Sequence, residues 1–323
     1  MKAAIVNAPQ TTPVYGDFAE PTAQPGQTIV TVTASALSHL TKARAAGSHY
    51  SADARFPAVA GVDGVGRTNE GQRVYFVLPE APFGALAERS LVRDPRCITL
   101  PDNLDDVTAA AIANPGMSAW AALEDRARLE RGETVLVNGA TGTAGRVAVQ
   151  LAKFLGAGRI IATGRNQREL EDVKRLGADV TIPFTVGAAE RSEAALIGEF
   201  AQGIDVVLDY LWGESARTII VAIAKGVAEA RPVRFVHVGA ASGAEQIELP
   251  GSALRSSAIA LMGSGLKSVS MPGLVQAIKR VFDVTVPAKL QVAVKVVPLS
   301  EVEKYWSAPG KPRVVFTLGS SAT

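Results

Sequence analysis

From Thr134 to Ser264 the chain alternates between short apolar runs and stretches of helix-forming composition. The runs are TVLVNG, RIIATG, DVTIPF, IDVVLDY, VRFVHVG and IALMGS, with RVAVQLAKFLG and QRELEDVKRLG filling the first two gaps. A run with no polar face has to be covered on both sides. An amphipathic helix between runs supplies that cover and returns the chain so that the next strand lies parallel to the last. The alternation therefore predicts an α/β fold on a doubly wound, parallel, six-stranded sheet.

The remaining residues have a different texture. Residues 1–113 carry short β-branched runs between turn signals, at Ala3–Val6, Thr28–Ala34, Gln72–Leu78, Ala87–Val92 and Cys97–Leu100, which predicts an irregular β-rich domain. Helix formers take over near Val107, in DDVTAAAIANP and then MSAWAALEDRARLE, each long enough for two or three turns. A helix is expected at Pro272–Phe282, and LQVAVKVVPL and RVVFTL return to the β-rich texture. With 323 residues, 47% of them hydrophobic, there is material for two domains. The expected division is a β-rich domain at 1–117, the sheet domain at 118–266, and a return to the first domain at 267–323.

Charge narrows the partner. Lys and Arg number 33 against 31 Asp and Glu, interspersed, so there is no basic stripe for a nucleic acid and no polybasic membrane patch. Charges, Gly or Pro interrupt every apolar run before the length a membrane span requires. MKAAIVNAP is too short and too soon interrupted to be a secretory segment. Cys97, the single cysteine, can form neither an intrachain disulfide nor a thiolate cluster. The expectation is a cytoplasmic protein that binds a small molecule.

NGATGTAG, directly after the first run of the alternation, places Gly139, Gly142 and Gly145 at GxxGxxG spacing with a helix expected from about Gly145. A tight turn, backbone amides close to a diphosphate and a helix packed on its strand all require the absence of Cβ there, so the turn points to a dinucleotide. A structural turn also uses glycine, and it is the position at the head of six alternating strands that favours the nucleotide. About 20 residues on, where an acidic side chain would hold the adenosine ribose, stand Gly164, Arg165, Asn166, Gln167 and Arg168. Guanidiniums suit a 2′-phosphate, hence NADPH, although a solvated helix start would look the same.

A catalytic zinc needs three protein ligands, yet the histidines are only His39, His49 and His237, none in an HxxxH pair, so no metal is expected. His237, inside RFVHVG, reads as a sheet residue near the cofactor by position alone. None of the tyrosines, at 15, 50, 75, 210 and 305, has Lys four residues later, which disfavours a short-chain dehydrogenase.

Taken in order, these segments resemble the zinc-independent quinone oxidoreductases of the medium-chain dehydrogenase/reductase superfamily. FPAVAGVDGVG at 56–66, GQRVYF at 71–76, GALAERSLV at 84–92, SAW at 118–120, VLVNGATGTAG at 135–145, LGAD at 176–179, GIDVVLD at 203–209, VGAASG at 238–243, VVPLSEVEKYW at 296–306 and GKPRVVF at 310–316 carry the likeness. The resemblance implies a GroES-like β-rich catalytic domain joined to a Rossmann domain, and NADPH-dependent hydride transfer to a quinone or related conjugated carbonyl. It implies that Gly139, Thr141, Gly142, Thr143, Ala144 and Gly145 hold the diphosphate, that Gly164, Arg165 and Arg168 read the 2′-phosphate, and that Ser118, Gly239, Ala240 and Ser242 line the nicotinamide side. Tyr50 matches a tyrosine that faces substrate, Ser38 replaces a frequent Asn and Thr41 a frequent Asp, so Tyr50 and Ser38 are the candidate catalytic groups. A homodimer is implied, joined near IALMGS. Reduction of an enoyl or alkenal double bond, or an NADPH-binding sensor with little catalysis, are the alternative readings.

Overall fold

The computed structural model describes residues 1–49, 55–184 and 189–319. Eight strands come from the N-terminal residues: β1 (Lys2–Val6), β2 (Val14–Asp17), β3 (Gln27–Ala36), β4 (Ala58–Val59), β5 (Asp63–Thr68), β6 (Arg73–Val77), β7 (Arg89–Arg93) and β8 (Cys97–Thr99). Six follow in the middle: β9 (Thr134–Asn138), β10 (Arg159–Gly164), β11 (Val180–Pro183), β12 (Val206–Asp209), β13 (Pro232–His237) and β14 (Ala258–Gly263). The last two are β15 (Val294–Pro298) and β16 (Arg313–Thr317). Two compact units result, one of residues 1–114 with 278–323 and one of residues 115–277.

The first unit is β-rich. One sheet has the order β2-β1-β4, and the other runs β15-β16-β3-β5-β6-β8 with β7 also pairing β3. Val6, Leu86, Val302, Trp306 and Phe316 belong to its core. A strand hidden from the sequence reading lies at its centre. β5, DGVGRT, carries two glycines because β3 runs against it: a Cβ on Gly66 would lie 2.1 Å from the Thr31 carbonyl oxygen.

The second unit has the expected parallel sheet, in the order β11-β10-β9-β12-β13-β14. Its central strands β9, β10 and β12 are buried nearly end to end, at Val135–Val137, Ile160–Ala162 and Val206–Leu208, as the apolar runs require. Phe200, Ile219, Ile223 and Phe235 pack in one cluster with Leu136 and Val207. The first crossover helix starts at Thr143, slightly before the expected Gly145. The two helices expected around Pro115 are a single one, Asp106–Trp120, which continues as a π-helical stretch, Ala121–Ala127. Proline removes one amide from a helix but does not stop it where the flanking residues are buried, and Ala109–Ala113 and Ala119–Leu123 include nine residues with at most 1% exposure apart from Trp120. Among the described residues no helix is long and apolar enough to cross a membrane.

Candidate functional site

The parallel sheet reverses its winding between β9 and β12, and in such sheets ligands bind outside the carboxyl ends at that point. β9 ends at Asn138 and the chain turns through Gly139, whose φ is +84°. The Ala140 amide donates to the Thr163 carbonyl, and the Gly142 amide to that of Gly139. Gly145 lies so close to the turn that a Cβ would come within 2.4 Å of the Gly139 oxygen and 2.6 Å of the Ala140 Cα. Gly142 differs: a Cβ there would come no nearer than 3.4 Å to the chain. Gly139 and Gly145 are thus required by the fold, and Gly142, the N-cap residue, is not.

The helix Thr143–Leu155 begins behind Gly142 with no side-chain cap and no acidic residue in its first turn. Its leading amides and positive dipole end form a place for an anion. Arg146 fastens the turn by donating to the Thr141 carbonyl at 3.2 Å. Gly164, at the end of β10, closes against the same turn, where a Cβ would meet Thr141 Cγ2 at 2.5 Å. Beyond it, Asn166 caps the helix Gln167–Leu176 through the amides of Arg168 and Glu169. Arg165 and Arg168 are exposed, and neither forms an ion pair among the described residues. The glycine turn and the arginines therefore lie on adjacent strand ends, and the residues present fit a dinucleotide carrying a 2′-phosphate.

The segments expected on the nicotinamide side also gather in this unit. The Ala241 and Ser242 amides donate to the Tyr210 and Leu211 carbonyls, and the Gly239 amide reaches the Asp209 carbonyl at 3.3 Å. Gly239, Ala240 and Ser242 are thereby packed along residues 209–213. Ser118 donates to the Pro115 carbonyl and lies beside the buried Tyr210 phenol, whose pKa burial drives up.

Sequence reasoning missed a row of polar side chains across four strand ends. Thr163 Oγ1 donates to Asn138 Oδ1 at 2.6 Å, and Asn138 Nδ2 donates to Asp209 Oδ1 at 2.8 Å. Asp209 Oδ2 lies 2.9 Å from His237 Nδ1. The register places Asn138 beside Asp209 and Asp209 beside His237. The signal was present in IIAT, TVLVN, VVLD and RFVH: each apolar run closes on a polar residue, and aligning their ends would have revealed the row.

Of the two catalytic candidates, Ser38 belongs to the β-rich unit. Ser38, 8% exposed, is the N-cap of the helix His39–Ala45: its Oγ accepts from the Thr41 amide at 3.0 Å and shares a hydrogen bond with Thr41 Oγ1 at 2.9 Å. Tyr50 lies outside the described residues. No group of three or more His, Cys, Asp or Glu able to hold a metal ion occurs among the described residues. Burial pushes the Cys97 thiol up to about 11.

Comparison with known proteins agrees with this architecture. A family model described as zinc-binding dehydrogenase matches residues 144–280. A probable NADPH-dependent quinone reductase of Emericella nidulans is 28% identical, over 91% of this chain and 92% of the relative. A 2-methylene-furan-3-one reductase of Solanum lycopersicum is 31% identical over 52% of this chain and 47% of its own length. The quinone oxidoreductase from Thermus thermophilus, whose structure was also solved in complex with NADPH, superposes with a TM-score of 0.80 at 24% identity, covering 98% of this chain and all of that one. In its strand order and glycine turn the chain is similar to these reductases, and it shares the fold of the quinone oxidoreductases.

Proposed function

We propose that this chain is an NADPH-dependent reductase that passes hydride to a quinone or a related conjugated carbonyl, without zinc. The observation that carries this reading is the uncapped, acid-free helix start behind Gly142 with two exposed guanidiniums, Arg165 and Arg168, at the neighbouring strand end. The acceptor class is supported by the Emericella nidulans relative, named a probable NADPH-dependent quinone reductase.

NADPH, when bound, supplies the hydride. The chain's part is to hold the diphosphate on the amides of residues 142–145, to take the 2′-phosphate on Arg165 and Arg168, and to flank the nicotinamide with Ser118 and the loop of Gly239, Ala240 and Ser242. Ser38 and Tyr50 are proposed to face the acceptor, with Ser38 already committed to Thr41. The zinc-free reading rests on the donor set, since the histidines and Cys97 make no cluster among the described residues.

A second reading, reduction at carbon of an α,β-unsaturated ketone, is favoured by the tomato relative, named a 2-methylene-furan-3-one reductase. We also propose a homodimer joined along β14, which ends the sheet with Leu261 41% exposed. A cytoplasmic location is consistent with the lone, half-buried Cys97.

The test follows NADPH oxidation against benzoquinones and, in parallel, alkenals and enones, together with cofactor binding to the Arg165→Ala/Arg168→Ala variant. Turnover of quinones is expected, with NADPH binding weakened by about 2–4 kcal/mol in the variant and NADH binding nearly unchanged. Activity confined to enones would establish the second reading. Tight NADPH binding with no turnover on either panel would make the protein a sensor instead.

A further inference from the structure

Asp209 is fully buried at the end of β12 and collects three donors besides His237. Oδ1 accepts from Asn138 Nδ2 at 2.8 Å and from the Leu211 amide at 3.1 Å, and the Trp212 amide reaches both oxygens at 3.1 Å. A carboxylate so surrounded by donors acts as the acceptor toward His237 Nδ1, 2.9 Å away. The Nδ1–H tautomer is thereby fixed and Nε2 is turned outward, with the histidine side chain 34% exposed.

The imidazole is held from a second direction. The Trp212 ring lies against it with centroids 4.5 Å apart and planes at 46°. To place the indole there, Trp212 adopts φ 59° and ψ −160°, a conformation otherwise left to glycine that costs on the order of 1–3 kcal/mol. The two contacts of its amide with Asp209 hold it in that state. A strained tryptophan and a buried aspartate thus converge on one half-buried histidine.

The topology says what faces it. The glycine turn follows β9, and Arg165 and Arg168 lie past the end of β10 on one side. A dinucleotide held by that turn and those arginines would have its adenosine half toward β10 and its other nucleoside toward β12 and β13, where His237 stands at the carboxyl end.

We propose that His237, oriented by Asp209 and Trp212, is the acid that delivers the proton accompanying hydride, a role that rests on the reductase reading above. Two electrons enter the acceptor with the hydride and a C=O π pair withdraws to oxygen. The Nε2–H bond then breaks as the O–H bond forms. The imidazolium becomes neutral imidazole with Nδ1–H retained by Asp209, and water restores the proton. In sum, one reduced dinucleotide and one proton convert a quinone to its quinol. Asp209 and Trp212 are positioning residues. Of the other ionisable groups on adjoining segments, Tyr210 keeps its phenol buried and Arg126 binds the Gly263 carbonyl at the end of β14.

Four measurements test this. In protein labelled with nitrogen-15 histidine, the signal missing from His237→Gln should report the Nδ1–H tautomer, should lose that preference in Asp209→Asn, and should move on addition of NADP⁺. With benzoquinone, His237→Gln should lower kcat by about 10²–10⁴-fold and abolish the limb of the pH profile that falls as the acid deprotonates. NADPH affinity by fluorescence should stay within about tenfold in the same variant, since one hydrogen bond to a neutral group is worth about that at most. Imidazole added to His237→Ala should restore part of the rate, which a merely structural histidine would not permit. A His237→Gln enzyme with the wild-type kcat and pH profile, or one whose loss lies wholly in NADPH affinity, would overturn the proposal and leave the reductase reading standing. Wild-type protein inert toward quinones and enones alike would overturn both.

Discussion

Gly142 and Gly145 lie in the same turn and answer to different constraints. A methyl group on Gly145 collides with the Gly139 carbonyl, so the helix would have to move off its strand. Overpacking of this kind costs about 1–3 kcal/mol, and Gly145→Ala should show it as a lowered unfolding midpoint. Gly142 has room at 3.4 Å and an ordinary φ of −71°. Gly142→Ala should therefore unfold within about 0.5 kcal/mol of wild type, as substitutions that disturb no packing do. If the turn holds a diphosphate against its backbone, the same variant should lose NADPH affinity by about tenfold or more, the factor that 1.4 kcal/mol of lost contact produces. Calorimetry and cofactor fluorescence on the two variants separate folding from binding. The triplet was legible in the sequence as glycine, but which glycine serves which end depends on distances across the turn.

Among the strands, β5, β6 and β16 share a buried polar group. Tyr75 on β6 donates to Asp63 Oδ2 on β5 at 2.7 Å, and Arg313 on β16, 7% exposed, acts on the same carboxylate through space. Burial outweighs both and holds the Asp63 pKa above its usual range; it lowers that of Arg313. Because the folded chain keeps this proton to higher pH than the unfolded chain, the contribution of Asp63 to stability is full below the unfolded value near 4 and is lost as pH rises through the folded one. Asp63→Asn should flatten that part of a plot of Tm against pH. Arg313→Met should cost about 3–5 kcal/mol by leaving a buried carboxylate without its countercharge, and Asp63→Asn added to it should recover most of the loss. Urea titration of the single and double variants measures both. Neither the cluster nor β5 was apparent from DGVGRT, because the reason for its glycines, the close approach of β3, exists only in the folded sheet.

For the molecule as a whole, β14 presents a pattern that a sheet edge facing water does not explain. Ala258, Ala260 and Leu261 are exposed on a strand that, among the described residues, pairs with β13 alone. An unpaired apolar edge is covered by association, and a second copy of the same strand does so with two-fold symmetry. Light scattering should give about twice the 33.6 kDa chain mass. Leu261→Lys should shift the mass toward that of a single chain while leaving NADPH binding intact.

Local sequence alone was sufficient for the parallel six-stranded sheet, the place of the glycine turn and the two arginines after β10. Those features follow from local rules: apolar runs must be covered, turns need glycine, and a helix start accepts an anion. It was also sufficient for the β-rich character of the first unit, through its short β-branched runs. The polar row waited on the folded chain. Thr163, Asn138, Asp209 and His237 are separated in sequence by 25 residues or more and become neighbours only because strand order and register set their ends side by side. The same holds for Trp212, whose glycine-like backbone makes sense only once Asp209 and His237 are in place. Hydrophobic pattern is written residue by residue, whereas a hydrogen-bonded row across a sheet is a property of registration and exists only after the core has packed.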